Sequence, residues 1–326
     1  GEESVTAKII DGKAIAEELR RELTSELEEL KAAGAQPGIA TLMVGDDFGA
    51  GMYRGAVEKF CGEMGLGYRS ELLPSDATDA AVVAAVQSLN ADPAVSGILP
   101  LRPFPAQVPD SLVIQAIVPD KDVDCFHPFN MGRLALGERT FPPATPRACM
   151  ELLERFLTAE GKDLAEELEG AEVCVVGHSN TVGKPLALML LNRNATTTVT
   201  HVYTSNRGNL AKHTKGAEYL VVATGVPHLI GADLVREGAV VLDVGINRVV
   251  VCPKCGALNR SKKSPCKACG ADLAEAQNKT VGDVDFDAVS QKAAAITPVP
   301  GGVGAVTNMM LARNTLRAAR LQLEKK

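Results

Sequence analysis

Val173-Cys-Val-Val-Gly177-His-Ser-Asn-Thr-Val-Gly183 is the stretch that decides the fold. Four residues suited to a buried strand run into a glycine turn, and an apolar helix is expected from Gly183 onward. Strand, glycine turn and helix in that order let a dinucleotide pyrophosphate meet backbone N–H groups at a helix start. The spacing is Gly-x5-Gly rather than G-x-G-x-x-G, so the turn alone reads equally well as an ordinary tight strand-to-helix connection. Two later segments favour a nucleotide. Val221-Val-Ala-Thr-Gly225 and Val241-Leu-Asp-Val-Gly245 each set a glycine at the end of a buried strand, where open α/β sheets take their ligands.

Around this turn the alternation continues. A helix is expected from Pro146 to Glu160, with strands at 172–176, near 199–202, at 219–222 and at 240–244. Nearer the N-terminus, Ile15, Leu19, Leu23, Leu27 and Leu30 recur at helical spacing within 11–34. A buried strand at 38–44, a helix through Tyr53 to Met64, a strand at 68–72, a helix capped by Ser75 and a strand at 96–99 complete a second alternation. The fold class is therefore α/β in two domains, an N-terminal α/β domain and a Rossmann-like nucleotide-binding domain with a parallel sheet. A Pro/Gly loop at 297–304 opens a last helix from Ala305 that is expected to return to the first domain. The expected boundaries are 1–147 plus 297–326 for the first domain and 148–296 for the second.

A length of 326 residues fits two cores better than one. The net charge of −6 argues against a nucleic-acid-binding body, which draws affinity from clustered Lys and Arg. No segment approaches the ~20 apolar residues that span a bilayer, so no membrane association and a cytoplasmic setting are expected. Choice of dinucleotide is open. An acid that would bind the ribose hydroxyl of NAD is absent from 198–204, as is an arginine, and His178, Arg207 and Lys212 are the nearby groups that could meet the 2′-phosphate of NADP.

Cys252-Pro-Lys-Cys255 and Cys266-Lys-Ala-Cys269 are two Cys-x2-Cys pairs, each followed by glycine. Each pair aims two thiolates at one point, and together Cys252, Cys255, Cys266 and Cys269 complete the tetrahedral shell of a structural zinc. A closed shell leaves no position for water, so this metal is expected to stand apart from the chemistry.

A series of motifs now gives a resemblance. It comprises Lys8-Ile-Ile-Asp-Gly-Lys13, Pro119-Asp-Lys-Asp-Val-Asp124, Phe126-His-Pro-Phe-Asn-Met-Gly-Arg133, Thr145-Pro-Arg147, the turn 177–183, Asp243-Val-Gly-Ile-Asn-Arg248, Val281-Gly-Asp283 and Thr297-Pro-Val-Pro-Gly-Gly-Val-Gly304. In order and spacing this resembles the bifunctional methylenetetrahydrofolate dehydrogenase/cyclohydrolase family, with the cysteine segment, 250–278, as an insertion. The resemblance implies a homodimer that acts on tetrahydrofolate derivatives with NADP, NAD being possible; the structural zinc rests on the cysteine spacing alone.

The implied roles fall on matching positions. Tyr53 would stack on the folate and Asp124 would hold the pterin, with Pro300, Gly301 and Gly302 also at the substrate. The cofactor would meet Gly177, His178, Ser179, Thr181, Val182 and Gly183, then Thr224, Gly225, Gly245 and Ile246, and Thr307 from the last helix. Two positions break the pattern. The family lysine four residues after the tyrosine is here Val57, and the glutamine that supports it is Leu101. Arg54 lies on the same helix face as Val57, but an arginine stays protonated and is a poor base. The expectation is a dehydrogenase with weak or absent cyclohydrolase activity. The competing readings are a fully bifunctional enzyme with a substitute residue and a non-catalytic folate- or nucleotide-binding protein. The insertion's Lys254, Arg260, Lys262, Lys263 and Lys267 read as a solvated surface or as a dock for an acidic partner or a folate polyglutamate tail.

Overall fold

A computed structural model describes residues 7–325. In chain order its strands are β1 (Lys8–Ile9), β2 (Gly38–Val44), β3 (Gly67–Leu73), β4 (Gly97–Pro100), β5 (Glu172–Val176), β6 (Thr196–Thr200), β7 (Tyr219–Val222), β8 (Val240–Asp243), β9 (Asn247–Val251), β10 (Leu258–Asn259), β11 (Gln277–Val281) and β12 (Ala295–Ile296). They divide between two compact units. One contains the described residues up to Ile15 together with Ala148–Val306, and the other Ala16–Arg147 with the described residues from Thr307.

The first unit is built on a six-stranded sheet in the order β1-β12-β8-β7-β5-β6, every pair parallel. From β5 the chain moves outward to β6 and then returns to the other side of β5 as β7. The strand order therefore reverses between β5 and β7, which is where an open α/β sheet forms its ligand crevice. Val176, Leu220, Val222, Val241 and Ile296 belong to one buried cluster, so the strands read as the continuous apolar runs of a sheet covered on both faces. The edge strand β6 is the exception. Its Thr-Thr-Thr-Val-Thr is half-buried and offers no apolar run, which is why it falls at Thr196–Thr200 rather than at 199–202.

The second unit holds a three-stranded parallel sheet ordered β3-β2-β4. All seven residues of the central β2 are buried, while β3 at the edge is mostly open. Leu19, Leu23, Leu27 and Leu30 of the helix Gly12–Ala32 are all buried, as their spacing requires. The helix Asp79–Ala91 starts three residues later than a Ser75 cap would allow. Thr78 is the cap, its hydroxyl accepting from the Ala81 N–H at 3.2 Å.

The division differs from the expected one at both ends. Residues 8–9 form β1 and pair with β12, and Thr297 accepts a bond from the Asp243 N–H at 2.8 Å, so both segments join the nucleotide-type sheet. Strands of two residues carry no periodicity from which this could be read. A third sheet, β10-β9-β11, is antiparallel and carries the cysteine segment.

Candidate active site and metal centre

The turn 177–183 leaves β5 at the switch point. Gly177 has φ 124, and a Cβ placed on it would lie 2.2 Å from the Ala223 carbonyl oxygen, so the loops after β5 and β7 touch there. A Cβ on Gly183 would lie 2.0 Å from the Gly177 carbonyl oxygen. Only glycines let the turn fold back on itself and keep the first N–H groups of the helix Gly183–Leu191 open to an anion. Ser179 braces the turn, its hydroxyl accepting from the Val182 N–H at 3.1 Å and lying 3.4 Å from the Thr181 hydroxyl. Gly183→Ala should therefore lower dinucleotide affinity roughly tenfold or more and destabilise the fold by about 1–3 kcal/mol. Titration calorimetry and thermal melting would measure the two effects.

Beside this turn lies a cavity of about 370 Å³, lined among others by Gly177, His178, Ser179, His201, Ser205 and Thr224. Arg207 and Lys212 do not line it, whereas His201, which the sequence did not bring forward, does. Two buried aspartates hold the floor of the site. Asp283 Oδ2 accepts from the Thr224 N–H at 2.5 Å, the Thr224 hydroxyl at 2.8 Å and the Gly225 N–H at 2.9 Å, while Oδ1 takes the Asn247 amide at 2.8 Å. Asp243 accepts from the N–H groups of Gly245, Asp283 and Val284 at 2.9–3.1 Å, and burial pushes it up to about 7. The loops carrying Thr224, Gly225 and Gly245 are thus fixed before any ligand arrives. Ile246 follows with its side chain 64 % exposed, close to Gly304. Pro300, Gly301 and Gly302 belong to this unit, and Gly301 lies against the Lys13 side chain. Thr307 belongs to the other unit.

In the second unit, Tyr53 and Asp124 come together. Tyr53 rises from the helix Phe48–Met64, and desolvation of its phenol, with the Asp124 carboxylate nearby, pushes its pKa up to about 12. Asp124 Oδ1 accepts from the Ala144 N–H at 2.7 Å. Burial raises Asp124 to about 7, Asp122 adds to the rise, and Arg102 opposes it. The Arg102 guanidinium lies 4.6 Å from the centre of the Phe126 ring and 3.4 Å from Asp110.

The loop that presents Asp124 is tightly pinned. Asp122 accepts from the Phe126 and His127 N–H groups at 2.8 and 2.9 Å and from the Asn130 amide at 2.8 Å. Between them Cys125 adopts φ 57, a left-handed conformation costing a non-glycine residue about 1–2 kcal/mol. Asn314 donates to the carbonyls of Val123 at 2.8 Å and Pro142 at 2.7 Å. Asp122 positions the loop through partners four to eight residues away, and Asn314 through partners distant in sequence.

The two altered positions are apolar and closed. Val57 is 1 % exposed and Leu101 2 %. The Leu101 N–H donates to the Leu42 carbonyl at 2.8 Å and extends the β4 ladder. Arg54 donates to the Ser70 hydroxyl at 3.2 Å on β3, and β3 and β4 flank β2 on opposite sides, about 10 Å apart. Lys59 points to solvent beside Glu63.

The four knuckle cysteines converge, their sulfurs all within 4.8 Å of one another. The Cys252–Cys269 and Cys255–Cys266 separations are 3.6 and 3.7 Å. A tetrahedral shell with metal–sulfur bonds of about 2.3 Å has edges of roughly 3.8 Å, whereas a disulfide needs about 2.05 Å. The two halves repeat one turn. The Gly256 N–H donates to the Cys252 carbonyl and the Cys252 N–H to the Ala257 carbonyl, and Gly270, Cys266 and Ala271 repeat the arrangement. Val250, Leu273 and Ala276 pack beneath as a small core. Lys254, Arg260, Lys262, Lys263 and Lys267 are exposed, and none forms an ion pair among the described residues.

A glycine turn at a switch point, with a preformed cavity beside it, defines a dinucleotide-binding α/β enzyme. The family model of the tetrahydrofolate dehydrogenase/cyclohydrolase NAD(P)-binding domain matches residues 143–323, and that of the catalytic domain of the same proteins matches 10–124. The chain belongs to the tetrahydrofolate dehydrogenase/cyclohydrolase family. It is 42 % identical to the bifunctional protein FolD 2 of Geobacter sulfurreducens over 97 % of this chain and 98 % of that protein. It is also 42 % identical to the bifunctional protein FolD of Bacillus subtilis over 98 % of this chain and all of that one. The crystal structure of the Campylobacter jejuni FolD dehydrogenase/cyclohydrolase superposes with a TM-score of 0.81 at 36 % identity, covering 97 % of this chain and 99 % of that one. The Trypanosoma brucei FolD structure, in complex with NADP and an inhibitor, gives 0.80 at 33 % identity, covering 97 % and 98 %. No helix of the described residues is long and apolar enough to cross a membrane.

Proposed function

We propose that this chain oxidises 5,10-methylenetetrahydrofolate with NADP and leaves the methenyl product unhydrolysed. The observation that carries this reading is the closure of Val57 and Leu101, 1 % and 2 % exposed, at the two positions where the family's proton-handling pair would stand. Tyr53, Asp124 and the glycine turn remain. NADP, when bound, supplies the hydride acceptor. The protein's own contribution is orientation: Tyr53 offers a flat face to the folate, Asp124 accepts N–H donors from the pterin, and the pinned loops hold the dinucleotide at the switch point. Hydride transfer needs little more than two rings held in place, whereas opening of the methenyl bridge by water needs a proton-transfer group, worth about 10²–10⁴ in rate. Purified methenyltetrahydrofolate mixed with the enzyme should decay at the rate seen in buffer. Decay that scales with enzyme concentration would refute the reading.

We further infer that Cys252, Cys255, Cys266 and Cys269 hold one structural zinc as thiolates, supported by sulfur separations of 3.6 and 3.7 Å. Metal analysis should return one zinc per chain. Cys252→Ser combined with Cys266→Ser should return none and open the segment to proteolysis, because in such knuckles metal binding supplies the folding energy. Unchanged proteolysis after zinc removal would contradict this. The family resemblance also supports a cytosolic homodimer, which light scattering on the purified protein would test for its assembly.

A further inference from the structure

Every charged residue between 249 and 271 is a cation: Lys254, Arg260, Lys262, Lys263 and Lys267. All five are exposed, and none has an ion-pair partner among the described residues. The chain as a whole carries −6, so the cysteine knuckle is a positive island on an acidic protein. Four thiolates around a divalent zinc hold a net negative charge, but a smaller one than the positive charge of the five side chains.

The island is held in shape. Asn259, buried at the end of β10, donates its amide to the Ala257 carbonyl at 2.9 Å and to the Cys266 sulfur at 3.6 Å, and accepts from the Lys267 N–H at 3.1 Å. It thereby ties together the two ends of the loop 260–266. Within the loop, the Ser261 hydroxyl accepts from the Lys263 N–H at 3.0 Å. Arg260, Lys262, Lys263 and Lys267 thus stand on or beside a backbone that is ordered before any partner binds, which spares part of the cost of binding.

The partner follows from what this surface lacks. From 247 to 281 there is no aromatic residue, and no large apolar side chain is exposed among the described residues. A protein interface draws its affinity from aromatic, Met and Arg anchors and is depleted in Lys. Single-stranded nucleic acid is held by bases stacked on aromatic rings. Lysine-rich charge without either kind of anchor fits the backbone of a double helix, which offers one phosphate charge per ~1.7 Å of axis. We propose that the knuckle is a docking surface for duplex nucleic acid, bound through its phosphates without choice of sequence. The net charge of −6 sets the rest of the chain against phosphate and confines the contact to the insertion. The inference rests on the zinc reading above for the folding of the segment.

Fluorescence anisotropy tests it, with a labelled duplex of about 20 base pairs titrated by the full chain, whose metal content is measured on the same sample. Affinity should fall roughly 10²–10³-fold between about 50 and 200 mM KCl, a log–log slope of about −4.5 if all five cations engage. Lys262→Glu with Lys263→Glu should weaken binding at least tenfold and flatten the slope by about two, whereas Lys262→Arg with Lys263→Arg should change neither. All three proteins should melt at the same temperature. A single strand of equal length should bind more weakly. If the zinc-loaded chain binds no duplex at about 50 mM salt, or binds it with a slope that the glutamate pair leaves unchanged, the docking surface is wrong. Tighter binding of the single strand, or of a polyglutamate peptide as a stand-in for an acidic protein, would also overturn it. The zinc site stands or falls on the metal analysis alone.

Discussion

Asp124→Asn should lower kcat/KM for methylenetetrahydrofolate oxidation about 10²–10³-fold, the equivalent of losing one charge-assisted contact in a buried site. Asp124 is held ready by the Ala144 N–H at 2.7 Å, and Oδ2 has no bond to the described residues, leaving it open to a pterin N–H donor. The wild-type enzyme should also show a pH dependence. Burial lifts Asp124 to about 7, so below that pH the carboxyl is protonated and accepts poorly. The rate should rise as pH passes upward through about 7 and then level off. Asp124→Asn should lose this limb, and Arg102→Leu, which removes the opposing cation, should move it to higher pH. A pH profile of kcat/KM for the three proteins measures all of this.

The second large effect is a gain. Val57→Lys combined with Leu101→Gln should raise hydrolysis of methenyltetrahydrofolate by about 10²–10⁴, the range general acid/base help contributes. Val57 sits four residues after Tyr53, one helical turn on, so a side chain there rises on the face that carries the tyrosine. Burial at that position would lower the lysine's proton affinity toward neutrality, which suits proton transfer but costs stability. Val57→Lys alone should gain less, because a buried ammonium without the glutamine lacks a partner. Thermal melting alongside the assay separates a failed gain from a failed fold.

The glycine turn and β5 were legible because backbone contact forces glycine and a buried parallel strand forces an apolar run. The four cysteines were legible for the same kind of reason: the tight turn of each Cys-x2-Cys pair brings two thiols together, and the four sulfurs lie within 4.8 Å of one another. What the sequence hid was long-range. Asn314 holds Val123, Asp283 holds Thr224, and Lys8–Ile9 pairs with Ala295–Ile296, none of which leaves a local pattern. His201 was hidden because β6 is a threonine-rich edge whose end could not be fixed from composition. Val57 was visible only as a departure from a family pattern, and its meaning depended on whether Arg54 could replace a lysine. The bond from Arg54 to Ser70 places one of its guanidinium nitrogens on the far edge strand and bears on that question.

The proposed separation of oxidation from hydrolysis in this enzyme is tested by a single time course. With methylenetetrahydrofolate and NADP, NADPH and methenyltetrahydrofolate should appear together in equal amounts, and the methenyl species should then persist as long as it does in buffer. NADPH formation without methenyl accumulation would mean that the enzyme hydrolyses its own product, and would contradict the account.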